Sequence, residues 1–279
     1  MVSTHSQEIR AAEIARKNRE IYDETSDPVW RLAVYQPLHG GWEFINLGGQ
    51  WLLDTFAAQA MLGPDKSILE LCSGQGATCR YLAERFECRV TGVEMNPRQV
   101  EQARARLKEV SPQVARRVEL VEANILCWNP ERVYDAVYTI DSLMLVDDIQ
   151  GALSKAYASL RPGALLMIAV ILAGPHIDER MRRFAWEVDG MISLLAPSNY
   201  RHLLSSAGFR EIDCRDITAR AIDSSELIAS ALDQNRGAIV DLQGEEVYRG
   251  WLDVGEVYLA GFRSGKLSYY LITARRDDR

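Results

Sequence analysis

The sequence predicts an α/β protein built on a doubly wound, mainly parallel sheet. Three observations carry this expectation. From Ser67 onward, short apolar runs alternate with helix-length stretches, the order expected of βαβ units. The first run ends in a glycine-rich turn, Ser73-Gly74-Gln75-Gly76, that opens a helix. The residues before this rhythm, and two segments that interrupt it, read as added helices.

The first 64 residues are mostly helical in pattern. Ile9, Ala12, Ile14, Ala15 and Ile21 recur among charges over residues 6–23, an amphipathic spacing. Asp27-Pro28 and Gly40-Gly41 break it, and a second helical stretch runs from Trp51 to Leu62. Gly63-Pro64-Asp65 closes the segment.

Strand β1 is then expected over Ser67–Cys72 and a helix over Ala77–Phe86. β2 follows at Arg89–Glu94, and a helix over Pro97–Val110 has proline in its first turn, where the missing N–H costs nothing. Val118–Glu122, Tyr134–Ile140 and Ala164–Leu172 are the next strands, with a helix over Asp148–Leu160 before the last. Residues 173–196 break the alternation. A helix over Asn199–Ala207 stops at Gly208 and leads to a strand over Glu211–Ile217. Residues 223–262 read as further helices, and Leu267–Arg275 as a final strand rich in Tyr, Ile and Thr. The expected organisation is a helical lid over residues 1–64 and a core over 65–279, with insertions at 173–196 and 223–262.

The bulk properties are those of an ordinary globular protein. Of its 279 residues, 47% are hydrophobic and 25% charged, which excludes a disordered chain. The net charge of −7, with Lys and Arg scattered, argues against a general nucleic-acid surface. The five cysteines are odd in number and show no C-x-x-C pair, so neither a disulfide framework nor a zinc site is indicated. Reduced cysteines fit a cytoplasmic setting. The residues from Met1 to Arg19 contain no apolar run of the signal-peptide kind. The longest apolar run, Ala164–Ala173, is too short to span a bilayer. A homo-oligomer is left open.

The segment from Glu70 to Gly76 is the most informative. In an open parallel sheet, ligands bind beyond the carboxyl ends of the strands at such a turn. Eighteen residues after Gly76, β2 ends at Glu94, where a carboxylate can accept hydrogen bonds from two ribose hydroxyls. A nicotinamide dinucleotide fingerprint asks for another glycine three residues after the second, and that position is Cys79. An adenosine with an amino-acid tail fits the motif better than a pyrophosphate.

This pattern resembles the class I S-adenosylmethionine-dependent methyltransferases of the small-molecule type. Glu70–Gly76 is similar to the family's first motif, with Cys72 where the first glycine usually stands. Val118–Asn124 resembles the third motif, and Leu160-Arg161-Pro162-Gly163 the turn before the fifth strand. The resemblance implies a Rossmann-like methyltransferase fold with seven strands, the last inserted antiparallel, under an added helical lid. It implies S-adenosylmethionine as cofactor, held by Glu70, Cys72, Ser73, Gly74, Gln75, Gly76, Glu94 and the adjoining Met95. Asn124 stands where an acid usually meets the adenine amino group, and Ile125 could pack on the adenine. Asp141 is placed either on the donor's ammonium group or against the acceptor.

The Asn/Asp-Pro-Pro-aromatic motif of nucleic-acid amine methyltransferases is absent, since that site reads Asp141-Ser142-Leu143-Met144. A small-molecule acceptor is therefore expected, methylated on N, O or C, of the kind met in secondary metabolism. The alternative is a protein of this fold that binds the cofactor but catalyses another reaction or only binds a ligand. Tyr35–Glu43 resembles the family's N-terminal closing segment. His39, His176 and Asp141 are the candidates for a base. His202 reads as a surface or packing residue, Glu187 and Asp189 as a solvated helix face, and Trp30, Trp42, Trp51 and Trp186 as packing before pocket lining.

Overall fold

The computed structural model describes residues 4–22 and 28–278, with side chains from residue 12 onward. His5 and Ile9 therefore lie outside the described side chains. Seven strands form one sheet: β1 (Ser67–Leu71), β2 (Arg89–Glu94), β3 (Val118–Glu122), β4 (Tyr134–Ile140), β5 (Leu160–Ala173), β6 (Phe209–Asp216) and β7 (Leu267–Arg276). Their order is β3-β2-β1-β4-β5-β7-β6. All neighbouring pairs are parallel except those of β7, which runs antiparallel to both β5 and β6.

The order reverses between β1 and β4, so the carboxyl ends of these two strands open a crevice. The register places Glu70 beside Gly92, and Glu94 beside Glu122. Both faces of the inner strands are covered, so these strands are apolar without alternation: β1 is buried at every residue and β5 from Leu165 to Ala173. β5 begins at Leu160, earlier than expected, because the chain passes through Pro162-Gly163 and stays in the sheet, with a register shift opposite Tyr134/Ala136.

Local chemistry sets the helix starts near the crevice. Asn96 caps the Pro97–Leu107 helix by accepting from the Arg98 and Gln99 N–H groups, with proline at the first turn. Asp148 caps Ile149–Ser159 through Gly151, and Asp178 caps Glu179–Asp189 through Met181.

Two apolar clusters form. The larger surrounds the sheet and includes the Gln50–Gln59 helix, whose Phe56 packs on Tyr138 with ring centroids 4.7 Å apart. The expected lid over 1–64 is thus divided: residues 50–59 belong to the sheet core because Leu52, Leu53 and Phe56 fall on one inward face. The smaller cluster joins Val29, Ala33, Val34 and Tyr35 to Leu232, Ile239 and Tyr248. The second partner is a three-helix unit, Thr218–Gln234, Arg236–Gln243 and Glu245–Arg263, slightly wider than the expected insertion. Two chain segments far apart in sequence therefore make one helical cap. Among the described residues, no helix is long and apolar enough to cross a membrane.

Candidate active site

The turn after β1 is shaped by its backbone. Cys72, Gly74 and Gly76 all take positive φ, at 61°, 51° and 65°. Gly74 and Gly76 do so without steric cost, whereas Cys72 stands in a region that L-residues avoid. The turn rests on β2: Ser73 N donates to Val93 O at 3.0 Å. Gly92 makes room for it, since a Cβ there would fall 2.7 Å from Ser73 Oγ and 2.8 Å from Cys79 Sγ. No glycine signal had marked this position.

Glu94 ends β2 inside the resulting hollow. Its carboxylate accepts from Gly74 N at 2.9 Å and from Asn96 N at 2.8 Å. Burial raises its pKa, and those backbone donors work against the rise. Glu70 is more enclosed: Thr78 Oγ1 donates to one oxygen, and Cys79 Sγ and Tyr138 Oη donate to the other at 2.9 and 2.7 Å. Burial pushes its pKa up to about 7, against these three donors, which fix the carboxyl beneath the turn.

A cavity of about 140 Å³ lies over this turn. Glu70, Cys72, Ser73, Gly74, Gln75, Glu94, Met95 and Asp141 line it together, the grouping that the motifs predict. Gly76 shapes the turn without lining the cavity. Asn124 and Ile125 do not reach it. Asn124 is exposed, and its side-chain oxygen folds back to accept from Leu126 N at 2.9 Å, capping its own turn; Ile125 is buried in the sheet core. Gln99, Tyr22 and Asn18 join the lining without having been anticipated. Gln99 Nε2 donates to the Tyr22 carbonyl, tying the Thr4–Tyr22 helix to the crevice. Glu43 of the closing segment forms ion pairs with Arg80, at 2.6 Å, and with Arg106, which pins that segment over the cavity.

A second cavity, of about 470 Å³, lies between the sheet edge and the helical cap. Its walls are mostly apolar, with Trp30, Val34, Met144, Ile171, Ile228 and Trp251 among them. Tyr22, Ile45 and Asp141 line both cavities and form the wall between them. Asp141 has φ +48, a strained backbone for aspartate, which sharply re-aims the chain after β4. Its Oδ2 accepts from Tyr269 Oη at 3.0 Å and from Leu47 N at 3.2 Å. Its Oδ1 is buried and has no partner among the described residues. Burial raises its pKa to about 7.

The two histidines expected as bases are elsewhere. His39 is fully buried against Phe44, with ring centroids 5.2 Å apart, and lines neither cavity. Burial lowers its pKa to about 4, so the ring is neutral and sealed in packing. His176 is exposed in the loop after β5, where its N–H bonds Gly265 O, and it too lines neither cavity. Of the three base candidates only Asp141 lines a cavity described above. Trp30 lines the larger cavity, whereas Trp42 stacks on Phe44 and Trp51 lies under Arg220. Glu187 is exposed as expected, but Asp189, read with it as a solvated face, borders the larger cavity.

Comparisons with known proteins agree with this geometry. A family model described as a methyltransferase domain matches residues 49–213. An O-methyltransferase of Penicillium expansum is 26% identical over 265 residues, covering 92% of this chain and 91% of that protein. The 27-O-demethylrifamycin SV methyltransferase of Amycolatopsis mediterranei is 25% identical over 279 residues, covering 94% and 96%. Among solved structures, phosphoethanolamine N-methyltransferase 2 of Haemonchus contortus, in complex with phosphomonomethylethanolamine and S-adenosylhomocysteine, shares the fold with a TM-score of 0.83 at 18% identity. That alignment spans 95% of this chain and 60% of the other.

Proposed function

The chain belongs to the methyltransferase-domain family, and from that premise we propose that it transfers the methyl group of S-adenosylmethionine to a hydroxyl of a small molecule held in the larger cavity. The observation that carries this reading is the pair of dissimilar cavities sharing one wall at Tyr22, Ile45 and Asp141. A donor in one and an acceptor in the other would meet across that wall.

The residues present fit the donor. The smaller cavity is bordered by Glu43, which Arg80 and Arg106 neutralise, and by Glu70, Glu94 and Asp141, which have no ion-pair partner among the described residues; no Lys, Arg or His is among its described lining residues. Such a field welcomes a sulfonium and an ammonium group and repels a pyrophosphate, which favours the sulfonium donor over a nicotinamide dinucleotide. Glu94 is positioned to accept from ribose hydroxyls, its rotamer fixed by Gly74 N and Asn96 N. Ser73 Oγ, buried and without a partner among the described residues, offers a further polar contact. When bound, S-adenosylmethionine supplies an electrophilic methyl on a sulfur that leaves as a neutral thioether.

What remains for the protein is to position, to exclude water and to take a proton. Positioning can supply roughly 7–11 kcal/mol of a bimolecular barrier. The cap and the Thr4–Tyr22 helix both border the junction, where they would limit the access of water to bound reactants. Asp141 is the proton acceptor: its unpartnered Oδ1 stands at the shared wall, and burial strengthens it as a base. A hydroxyl held there would give its proton to Asp141 Oδ1 as its oxygen took the methyl group that the donor supplies.

The two relatives named as acting on oxygen, matched over nearly the whole chain, support a hydroxyl acceptor of secondary metabolism. The net charge of −7 and the acid-lined crevice support a small molecule over nucleic acid. Five free cysteines support a reducing, cytoplasmic setting. Calorimetric titration tests the donor assignment: S-adenosylhomocysteine should bind and NADH should not. The reverse result would overturn the proposal.

A further inference from the structure

The larger cavity has a polar end that the methyl transfer itself does not use. Asp189 is the last residue of the Glu179–Asp189 helix, and it borders the cavity. A carboxylate at a helix C-terminus opposes the helix dipole, and this one is half-buried as well. Tyr258 Oη donates to Asp189 Oδ2, and Tyr22 Oη donates to the Asp189 carbonyl at 3.2 Å. Tyr258 is braced in turn by Phe184, with ring centroids 5.4 Å apart. Lys17 contributes to the field at Asp189 but does not line the cavity.

No Lys, Arg or His is among the described residues lining this cavity, and its carboxylates are Asp141 and Asp189. Asp141 Oδ1 is buried without a partner. Trp30 and Trp251 also line the cavity as an edge-to-face pair, with centroids 5.0 Å apart. Burial raises the pKa of both carboxyls, so negative charge on either is already disfavoured, and an anionic ligand would raise that cost further. A cation would do the opposite. Its charge would offset the cost of burying Asp189, and its apolar body would meet aromatic faces suited to it.

We propose that the acceptor is an apolar molecule with a protonated amine and no anionic group, and that Asp189 is the specificity-determining residue that pairs with the amine. This deepens the methyl-transfer reading and rests on it for the cavity's role. The amine is the anchor at Asp189, and the methylated hydroxyl is the group at Asp141.

The test uses three matched probes: 4-phenylbenzylamine, 4-phenylbenzyl alcohol and 4-phenylbenzoate. Their binding is followed by tryptophan fluorescence and calorimetry, with and without saturating S-adenosylhomocysteine. The amine should bind about tenfold or more tighter than the alcohol, the discrimination expected of one charge-assisted hydrogen bond, and the benzoate should not bind. Asp189→Asn keeps an acceptor for Tyr258 and should erase the preference for the amine while S-adenosylhomocysteine still binds. Tyr258→Phe, which leaves the carboxylate, should keep the preference. Failure of the amine to bind, equal binding of the alcohol, or an unchanged preference in Asp189→Asn would each overturn the proposal. Loss of S-adenosylhomocysteine binding in the unaltered protein would overturn the donor assignment instead.

Discussion

The two cavities that meet at Asp141 are made in different ways. The donor hollow is built chiefly by backbone: three positive-φ residues within five positions, a strand end, and N–H groups that clamp one carboxylate. The acceptor cavity is built by side chains from segments that are distant in sequence, Tyr22, Trp30, Asp141, Asp189 and Trp251 among them. Backbone shape demands particular residues at fixed spacing. A cavity wall demands only bulk and polarity, which many residues supply. A donor site made by backbone geometry can thus stay the same while side-chain changes in the cap alter the acceptor.

The largest expected effect lies at the shared wall. Asp141→Asn should lower kcat by about 10²–10⁴-fold, the range for losing a general base, while S-adenosylhomocysteine affinity changes little. In the unaltered enzyme the rate should rise as pH increases through about 7, where Asp141 loses its proton, and the variant should lose that dependence. The same raised pKa makes a second, thermodynamic prediction. The folded state holds this proton up to about 7, whereas the unfolded chain releases it in the ordinary carboxylate range. The stability it contributes is therefore present in acid and lost as pH rises through about 7, and Glu70 acts in the same direction. Pre-steady-state rates and melting curves across pH check both. A donor affinity that collapses with Asp141→Asn would place Asp141 on the donor side alone and break the comparison.

Glu94→Ala should act on the other cavity. Hydrogen bonds to a charged group are worth about 1.5–3 kcal/mol each, so S-adenosylhomocysteine affinity should fall by about 10–100-fold. Probe binding in the larger cavity, measured without the donor, should remain. The variant also leaves Gly74 N and Asn96 N without their carboxylate, so its melting temperature should be read beside its affinity. An unchanged affinity in a folded variant would mean that Glu94 serves the turn and not the ligand.

This contrast explains what could be read from the sequence. Strand limits such as Arg89–Glu94, Val118–Glu122 and Tyr134–Ile140 follow from apolar runs bounded by turn residues, and the structure has the same limits. Ser73, Gly74, Gln75 and Glu94 gather as expected because their spacing encodes a turn. His39 and His176 misled because a histidine's chemistry is visible in a sequence but its surroundings are not; one is sealed against Phe44 and the other faces solvent. Asp189 was passed over because Glu187 and Asp189 differ only by which side of a helix they occupy, and the partner that decides it, Tyr258, lies 69 positions away. Asn124 is a different case: its motif position matches, and its side chain accepts from the nearest backbone donor, a contact that a motif does not display.

The smallest expected effect tests whether the donor site is truly a backbone device. Cys72 holds φ +61, where an L-residue costs about 1–2 kcal/mol. Glycine there relieves the strain but enlarges the freedom of the unfolded chain, at about 0.5–1 kcal/mol. Cys72→Gly should therefore stabilise the fold by about 0.5–1 kcal/mol, a rise of about 1–3 °C in Tm for a chain of this size. Cys72 lines the donor cavity, yet S-adenosylhomocysteine affinity should hold, because the turn's contribution is its path and not this thiol. A lower Tm would show that the thiol's packing outweighs the strain. A lower affinity with an unchanged fold would show that a side chain contributes where backbone alone was assigned.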